Sequence, residues 1–112
     1  MDPCSYKDFL KVEMHIGQIV RVESFPKARK PAYKLWIDFG PEMGIKKSSA
    51  QITERYKPEE LEGKKIVAVT NLPPKKIAGF QSDVLVLGVD SCEGGVSLLG
   101  IDHDAPPGSR VY

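Results

Sequence analysis

Between Asn71 and Ser82 the chain reads Asn-Leu-Pro-Pro-Lys-Lys-Ile-Ala-Gly-Phe-Gln-Ser, and this stretch concentrates more chemistry than any other. Lys75 and Lys76 are adjacent cations, Asn71, Gln81 and Ser82 are amide or hydroxyl donors, and Ile77 and Phe80 add apolar surface between them. Cations beside an aromatic ring and neutral donors suit a phosphate backbone that carries bases. A second reading has Ile77 and Phe80 plug the end of a small barrel while the lysines stay solvated, since apolar side chains pack more often than they bind.

The stretch lies between two short apolar runs, Lys65 to Thr70 and Val84 to Val89, both rich in valine, isoleucine and leucine. Each reads as a strand. Pro73 and Pro74 cannot donate to a ladder and force extended geometry on the residue before them, so the first strand stops there and residues 71–82 are expected to form a loop. A second basic loop, Ser24 to Ala32, is bounded by prolines and carries Lys27, Arg29 and Lys30. Between the two loops, Tyr33, Leu35, Ile37 and Phe39 alternate with Lys34, Trp36 and Asp38. That period of two puts Trp36 and Lys34 on the face away from the core. An outward Trp36 either stacks on a ligand, packs under the N-terminal helix or enters a subunit interface.

The other elements follow in order. Ser5-Tyr6-Lys7-Asp8 has the pattern of a capped helix start, with Phe9, Leu10 and Val12 needing cover from the domain or from a second copy. Met14, Ile16, Val20 and Val22 share one parity and are expected to point inward, with Gly17 marking a bulge. Gly40 to Gly44 reads as a turn, and Ile45 to Ile52 as a third strand bearing Lys46 and Lys47. Tyr56 to Gly63 reads as one helical turn, with proline at its start, acids at its positive end and glycine at its stop. A hairpin from Val84–Val89 through Asp90–Gly95 to Val96–Leu99 precedes a Pro106-Pro107-Gly108 tail.

Five short strands with a helical turn between the third and fourth define an all-β fold, a five-stranded Greek-key OB-fold barrel, with a short N-terminal helix and a C-terminal hairpin extension. At 112 residues it is one domain, residues 1–112, with its core at about 9–89 and the extension at 90–112. OB-folds bind along strands two and three and through the loops joining strands one to two and four to five. Here those loops hold Arg29, Lys30, Lys75 and Lys76, and the third strand adds Lys46 and Lys47. The net charge is only +1, yet residues 21–76 hold 13 basic against 7 acidic side chains, a net of +6. The positive charge therefore sits where the fold binds ligands.

No nucleophile with a base, metal-ligand set or phosphate loop is recognisable, so no enzyme, cofactor or metal site is expected. Cys4 and Cys92 are isolated and read as free thiols, and His103 in Asp102-His103-Asp104 as part of a solvated loop. The first residues lack the basic flank and apolar stretch of a signal peptide, and no run reaches a membrane span, so the cytoplasm is the expected compartment.

Three motifs carry a resemblance: Asp38-Phe39-Gly40, Tyr56-x-Pro58-Glu59-Glu60-Leu61-x-Gly63-Lys64 and Asn71-Leu72-x-Pro74-x-Lys76-x-x-Gly79-x-x-Ser82. Through them, over about Phe9 to Val89, the chain resembles the tRNA-binding domain appended to methionyl-tRNA synthetases and found in the endothelial monocyte-activating polypeptide family. Ser49-Ala50-Gln51-Ile52-Thr53, Ser82 to Gly88 and Gly108-Ser109-Arg110-Val111 are most similar to its free-standing CsaA type. That resemblance implies a cytoplasmic homodimer, an export-related chaperone binding unfolded or precursor polypeptides and export machinery, with Ile77, Phe80 and Trp36 offering apolar surface. The alternative is a free-standing tRNA-binding protein in which Arg29, Lys30, Lys46, Lys47, Lys75 and Lys76 hold phosphates, Asn71 and Ser82 add hydrogen bonds and Phe80 stacks. Synthetase-type domains carry Gly-Met where this chain has Asp83 and Val84, which places a carboxylate beside the basic stretch and is expected to lower RNA affinity.

Overall fold

The computed structural model describes all 112 residues, Met1–Tyr112. Strands β1 (Met14–Ser24), β2 (Tyr33–Asp38), β3 (Ile45–Ala50) and β4 (Lys65–Val69) are long enough to bury one face each. With β7 (Leu85–Val86) they form an antiparallel sheet in the order β3-β2-β1-β4-β7, curled into a nearly closed barrel. This is the expected OB-type architecture. Its core is Ile19, Leu35, Ile37, Phe39, Ile52, Leu61, Ile66, Ala68 and Val84. Helix α3 (Pro58–Leu61) places the fully buried Leu61 under the barrel, and Lys57 N donates to Glu60 Oε1 at 2.9 Å to cap it. Helix α1 (Tyr6–Phe9) begins as its sequence predicts, with Asp8 N donating to Ser5 Oγ at 3.0 Å.

Several local expectations are corrected. Gly17 does not mark the bulge: β1 pairs in regular register there, and the irregularity falls between Ile19 and Arg21. Val20 is the extra residue and is exposed, whereas Ile19 is fully buried, so the inward parity switches from Gly17 and Ile19 to Val22. Gly17 itself lies on the core face, where an added Cβ would stand 2.5 Å from Ile37 Cγ2 and 2.6 Å from Phe39 Cε1. Gly40–Met43 is a helical turn, α2, rather than a simple turn.

Residues 71–82 are not a plain loop. After the two prolines the chain forms a hairpin, β5 (Lys75–Ile77) with β6 (Phe80–Ser82), turned by Ala78 and Gly79 at φ 47° and 82°. Positive φ at both central residues is the geometry of a tight hairpin turn, and Gly79 makes it accessible. The expected strand Val84–Val89 is also divided. At Leu87 the chain exchanges partners: Leu87 N still donates to Val67 O at 2.9 Å, while Leu87 O accepts from Leu99 N at 3.1 Å. Beyond it β8 (Gly88–Asp90) pairs with β9 (Val96–Leu98), the expected C-terminal hairpin. The tail is an element of the sheet as well. Gly108 N donates to Ile16 O and Ile16 N to Ser109 O, beside a bridge between His15 and Arg110.

The seam between β3 and the residues before β7 is closed partly by side chains. Asp83 N donates to Lys47 O at 2.7 Å, and the Asp83 carboxylate accepts from Lys47 N at 3.0 Å. Ser49 N donates to Ser82 Oγ at 3.1 Å, and the buried Ser48 hydroxyl donates to Val84 O at 3.1 Å. No helix is long and apolar enough to cross a membrane.

Candidate functional site

Pairing across β1, β2 and β3 sets Arg21 opposite Trp36 and Trp36 opposite Lys47, with Glu23, Lys34 and Ser49 aligned in the next row. Both rows lie on the outer face, because Leu35 between them and Ile37 beyond Trp36 are fully buried. The Arg21 guanidinium sits 4.5 Å from the centre of the Trp36 ring and forms an ion pair with Glu23. Hairpin β5–β6 folds over this face and delivers Phe80 edge-on to Trp36, ring centres 5.7 Å apart, and to Phe25, 5.5 Å apart. Lys34 Nζ rests 4.9 Å from the Phe25 ring and 5.1 Å from Phe80, and Lys47 Nζ lies 5.2 Å from Phe80. A cation over an aromatic face is held by the ring quadrupole, and here the cations and rings cover one another.

This arrangement assigns the sequence-derived candidates different places. Lys34, Trp36, Lys47, Ile77 and Phe80 do come together. Phe80 is buried to 9% exposure with Phe25 and Ala32, so its ring packs against the barrel and is not offered for stacking. Trp36 is the half-buried ring of the cluster. Lys75 shares a face with the hairpin's inward Ile77, whereas Lys76 pairs with Gln81 on the opposite side. Lys46 shares parity with buried Ser48 and lines a cleft with Glu13, His15 and Glu42 at the barrel's end, away from Lys47. Arg29 and Lys30 are exposed in the loop between β1 and β2, and Lys30 borders a polar cleft with Gln51, Glu54 and Asp90.

Two candidates are structural. Asn71 Oδ1 accepts from Glu13 N at 2.9 Å and its Nδ2 donates to Lys11 O at 2.7 Å, clamping the segment that joins α1 to β1. Ser82 Oγ is held in the seam by Ser49 N. The carboxyl of Asp83 is partly buried, which acts to raise its pKa, but the Gln81 side chain, the Lys47 amide and the charges of Lys47 and Lys46 hold it below the ordinary 3.8. Sequence reasoning overlooked Arg21 and Phe25. Arg21 was accessible from parity alone, since it lies between Val20 and Val22, but Phe25 sits in a proline-bounded loop with no periodicity to expose it.

A second surface lies where the barrel fails to close. The free edges of β3 and β7 face each other beyond the Asp83 seam, and an apolar groove of about 630 Å³ runs there, lined by Ala50, Ile52, Leu85, Val86, Val89 and Leu98 among others. Leu85 and Val89 remain 51% and 55% exposed in it.

An antiparallel barrel with a cationic, aromatic outer face and an open apolar seam is an OB-type binding module. The chain belongs to the tRNA-binding-domain family: the family model described as "Putative tRNA binding domain" matches residues 14–110. Within that family it is CsaA-like. Its structure matches that of the chaperone CsaA from Bacillus anthracis str. Ames with a TM-score of 0.91 at 49% identity, covering 99% of this chain and 100% of that one. It matches the CsaA chaperone protein from Picrophilus torridus with a TM-score of 0.93 at 50% identity, covering 98% and 100%. The methionine–tRNA ligase of Methanocaldococcus jannaschii is 39% identical over 101 residues, which is 90% of this chain and 15% of the ligase. The chain thus spans about 15–16% of the length of the curated relatives it matches.

Proposed function

We propose that this protein is a CsaA-type chaperone that binds extended segments of unfolded or precursor polypeptides, acting as a homodimer in the cytoplasm and delivering them to export machinery. The observation that carries this reading is the groove between β3 and β7–β9. The two terminal strands of the sheet, β3 and β7, border it beyond the Asp83 seam, and an extended peptide can lie along such an edge while alternate side chains enter an apolar channel. The exposed Leu85 and Val89 supply the contact surface. A nucleic acid has no apolar side chains to use such a channel. The full-length likeness to two proteins titled as chaperones supports the same reading.

The homodimer accounts for apolar residues left uncovered in one subunit: Tyr6, Leu10 and Val12 around α1 are 70%, 43% and 42% exposed. A monomer in sedimentation at micromolar concentration would remove that part of the reading. The groove is tested with a labelled, permanently unfolded protein titrated into wild type, Leu85→Asp and Val89→Asp. Binding that persists in high salt and falls at least about tenfold in the folded variants supports it. Unchanged binding in both variants refutes it.

One observation favours a second reading, tRNA binding on the outer face: the row Arg21–Trp36–Lys47, with Lys34 and Lys75 beside it. A guanidinium over an indole presents a flat cationic plane on which a base stacks while the lysines reach phosphates. Binding of total tRNA that weakens steeply with salt and is lost in Lys47→Ala and Arg21→Ala supports this second site. A flat salt response removes it.

A further inference from the structure

We infer that Glu23 and Asp83 are selectivity residues, two carboxylates that restrain polyanion binding on the basic aromatic face. The inference rests on the second reading above, that RNA contacts this face. Its basis is the position of the two acids beside the two ends of the Arg21–Trp36–Lys47 row: Glu23 in the adjoining row next to Arg21, and Asp83 in the seam next to Lys47. Trp36 is flanked by Arg21 on one side and Lys47 on the other; the Arg21 guanidinium pairs with a carboxylate, and a second carboxylate sits on the backbone amide of Lys47. Glu23 ion-pairs with the Arg21 guanidinium and lies across the strand from Lys34. Asp83 is seated on the Lys47 amide at 3.0 Å, fixed from the other side by Gln81 Nε2 at 2.7 Å.

Arg21, Lys34, Lys47 and Lys75, set against the two acids, leave this face a net charge of only +2. A phosphate approaching Arg21 must displace or share it with Glu23, and one approaching Lys47 meets the field of Asp83. Asp83 is fixed by two hydrogen bonds, so its repulsion needs no rearrangement to act, and Glu23 competes directly for the Arg21 guanidinium. The apolar groove contains neither acid, and an uncharged polypeptide is not affected by them. The two carboxylates therefore shift the protein's preference towards polypeptide by penalising RNA on this face while leaving the groove untouched.

The test compares Glu23→Gln, Asp83→Asn and the double variant with wild type, using labelled total tRNA and a permanently unfolded protein as parallel probes. Glu59→Gln, an exposed change on α3, controls for net charge alone. At low salt, tRNA affinity is expected to rise about threefold in each single variant and about tenfold in the double. Binding of the unfolded protein stays unchanged, and Glu59→Gln leaves tRNA affinity unchanged. Since Asp83 also closes the seam, Glu23→Gln, whose side chain is exposed, carries the test if Asp83→Asn unfolds. Wild type that binds tRNA through Lys47 but gains nothing in either variant overturns the inference alone. An equal gain in Glu59→Gln also overturns it. No tRNA binding by wild type or double variant overturns it together with the RNA reading, and leaves the groove to its own test.

Discussion

Replacing Phe80 by alanine separates a ring that packs from a ring that binds. Phe80 is buried to 9% exposure and touches Phe25 and Trp36 edge-on, with Lys34 and Lys47 over its faces. Truncating a buried phenylalanine costs about 3–5 kcal/mol, and a ring in a satellite cluster partly roofed by lysine stems belongs at the lower end, about 3 kcal/mol. For a domain of this size each kcal/mol shifts Tm by about 4 °C, so the variant should melt about 12 °C lower. The loss has a local signature too. Strands β5 and β6 are three residues each, too short for a free hairpin to persist, and Phe80 is their main anchor on the barrel. Amide exchange within residues 75–82 should accelerate towards unprotected rates even where the barrel is intact. Equilibrium urea unfolding gives the first quantity and hydrogen exchange the second. A loss under about 1 kcal/mol, with ligand binding abolished, would refute the packing argument and return Phe80 to the binding surface.

Three further outcomes follow from the geometry. Gly17→Ala drives a methyl group into Ile37 and Phe39 and should cost at least about 2 kcal/mol by denaturant unfolding, since neither neighbour is at a flexible tip. Asn71→Ala removes both bonds that hold residues 11–13, a loss of about 1–2 kcal/mol, with limited proteolysis expected after Lys11. Asp83, with its folded pKa below the unfolded value of 3.8, contributes stability that is fully present above that value and is lost as pH falls through the folded pKa. The gap in urea midpoint between wild type and Asp83→Asn should therefore be constant from neutral pH down to about pH 5 and narrow below pH 4. A gap independent of pH would mean that the carboxylate's charge contributes nothing to the seam.

Much of the barrel was legible because its signals are local. Alternation in Tyr33–Phe39 identifies β2 and the outward Trp36, and Ser5, Pro58 and Gly63 mark helix boundaries by their own stereochemistry. What failed required distant partners. The bulge at Val20 exists because two residues of β1 face one of β2, a register set by curvature rather than by any residue in β1. The hairpin inside residues 71–82 was obscured by the two prolines before it, although Ala78-Gly79 is a serviceable turn. The division at Leu87 depends on Leu99 arriving from downstream. In the site, parity separated Trp36 from the core and Lys46 from Lys47, but could not say that a hairpin would cover Phe80, nor that Lys46 would end in a cleft with Glu13, His15 and Glu42.

The residues that carry the family resemblance are largely those that build the barrel. Asp38 Oδ1 accepts from Gly40 N at 2.9 Å, Phe39 is buried, and Gly40 at φ 89° leaves room for the carbonyl of Pro107. Leu61 fills the base of the barrel, Gly63 and Gly79 adopt positive φ, Asn71 clamps the N-terminal segment and Ser82 closes the seam. A match to these motifs therefore specifies an architecture whose physical demands any ligand-binding role must share. Ligand choice has to come from positions that the architecture leaves free: Arg21, Glu23, Trp36 and Lys47 on the outer face, and Leu85 and Val89 in the open seam. The two sets share no residue, so a substitution in one leaves the other as an internal control, and polypeptide and RNA binding can be separated within one folded protein.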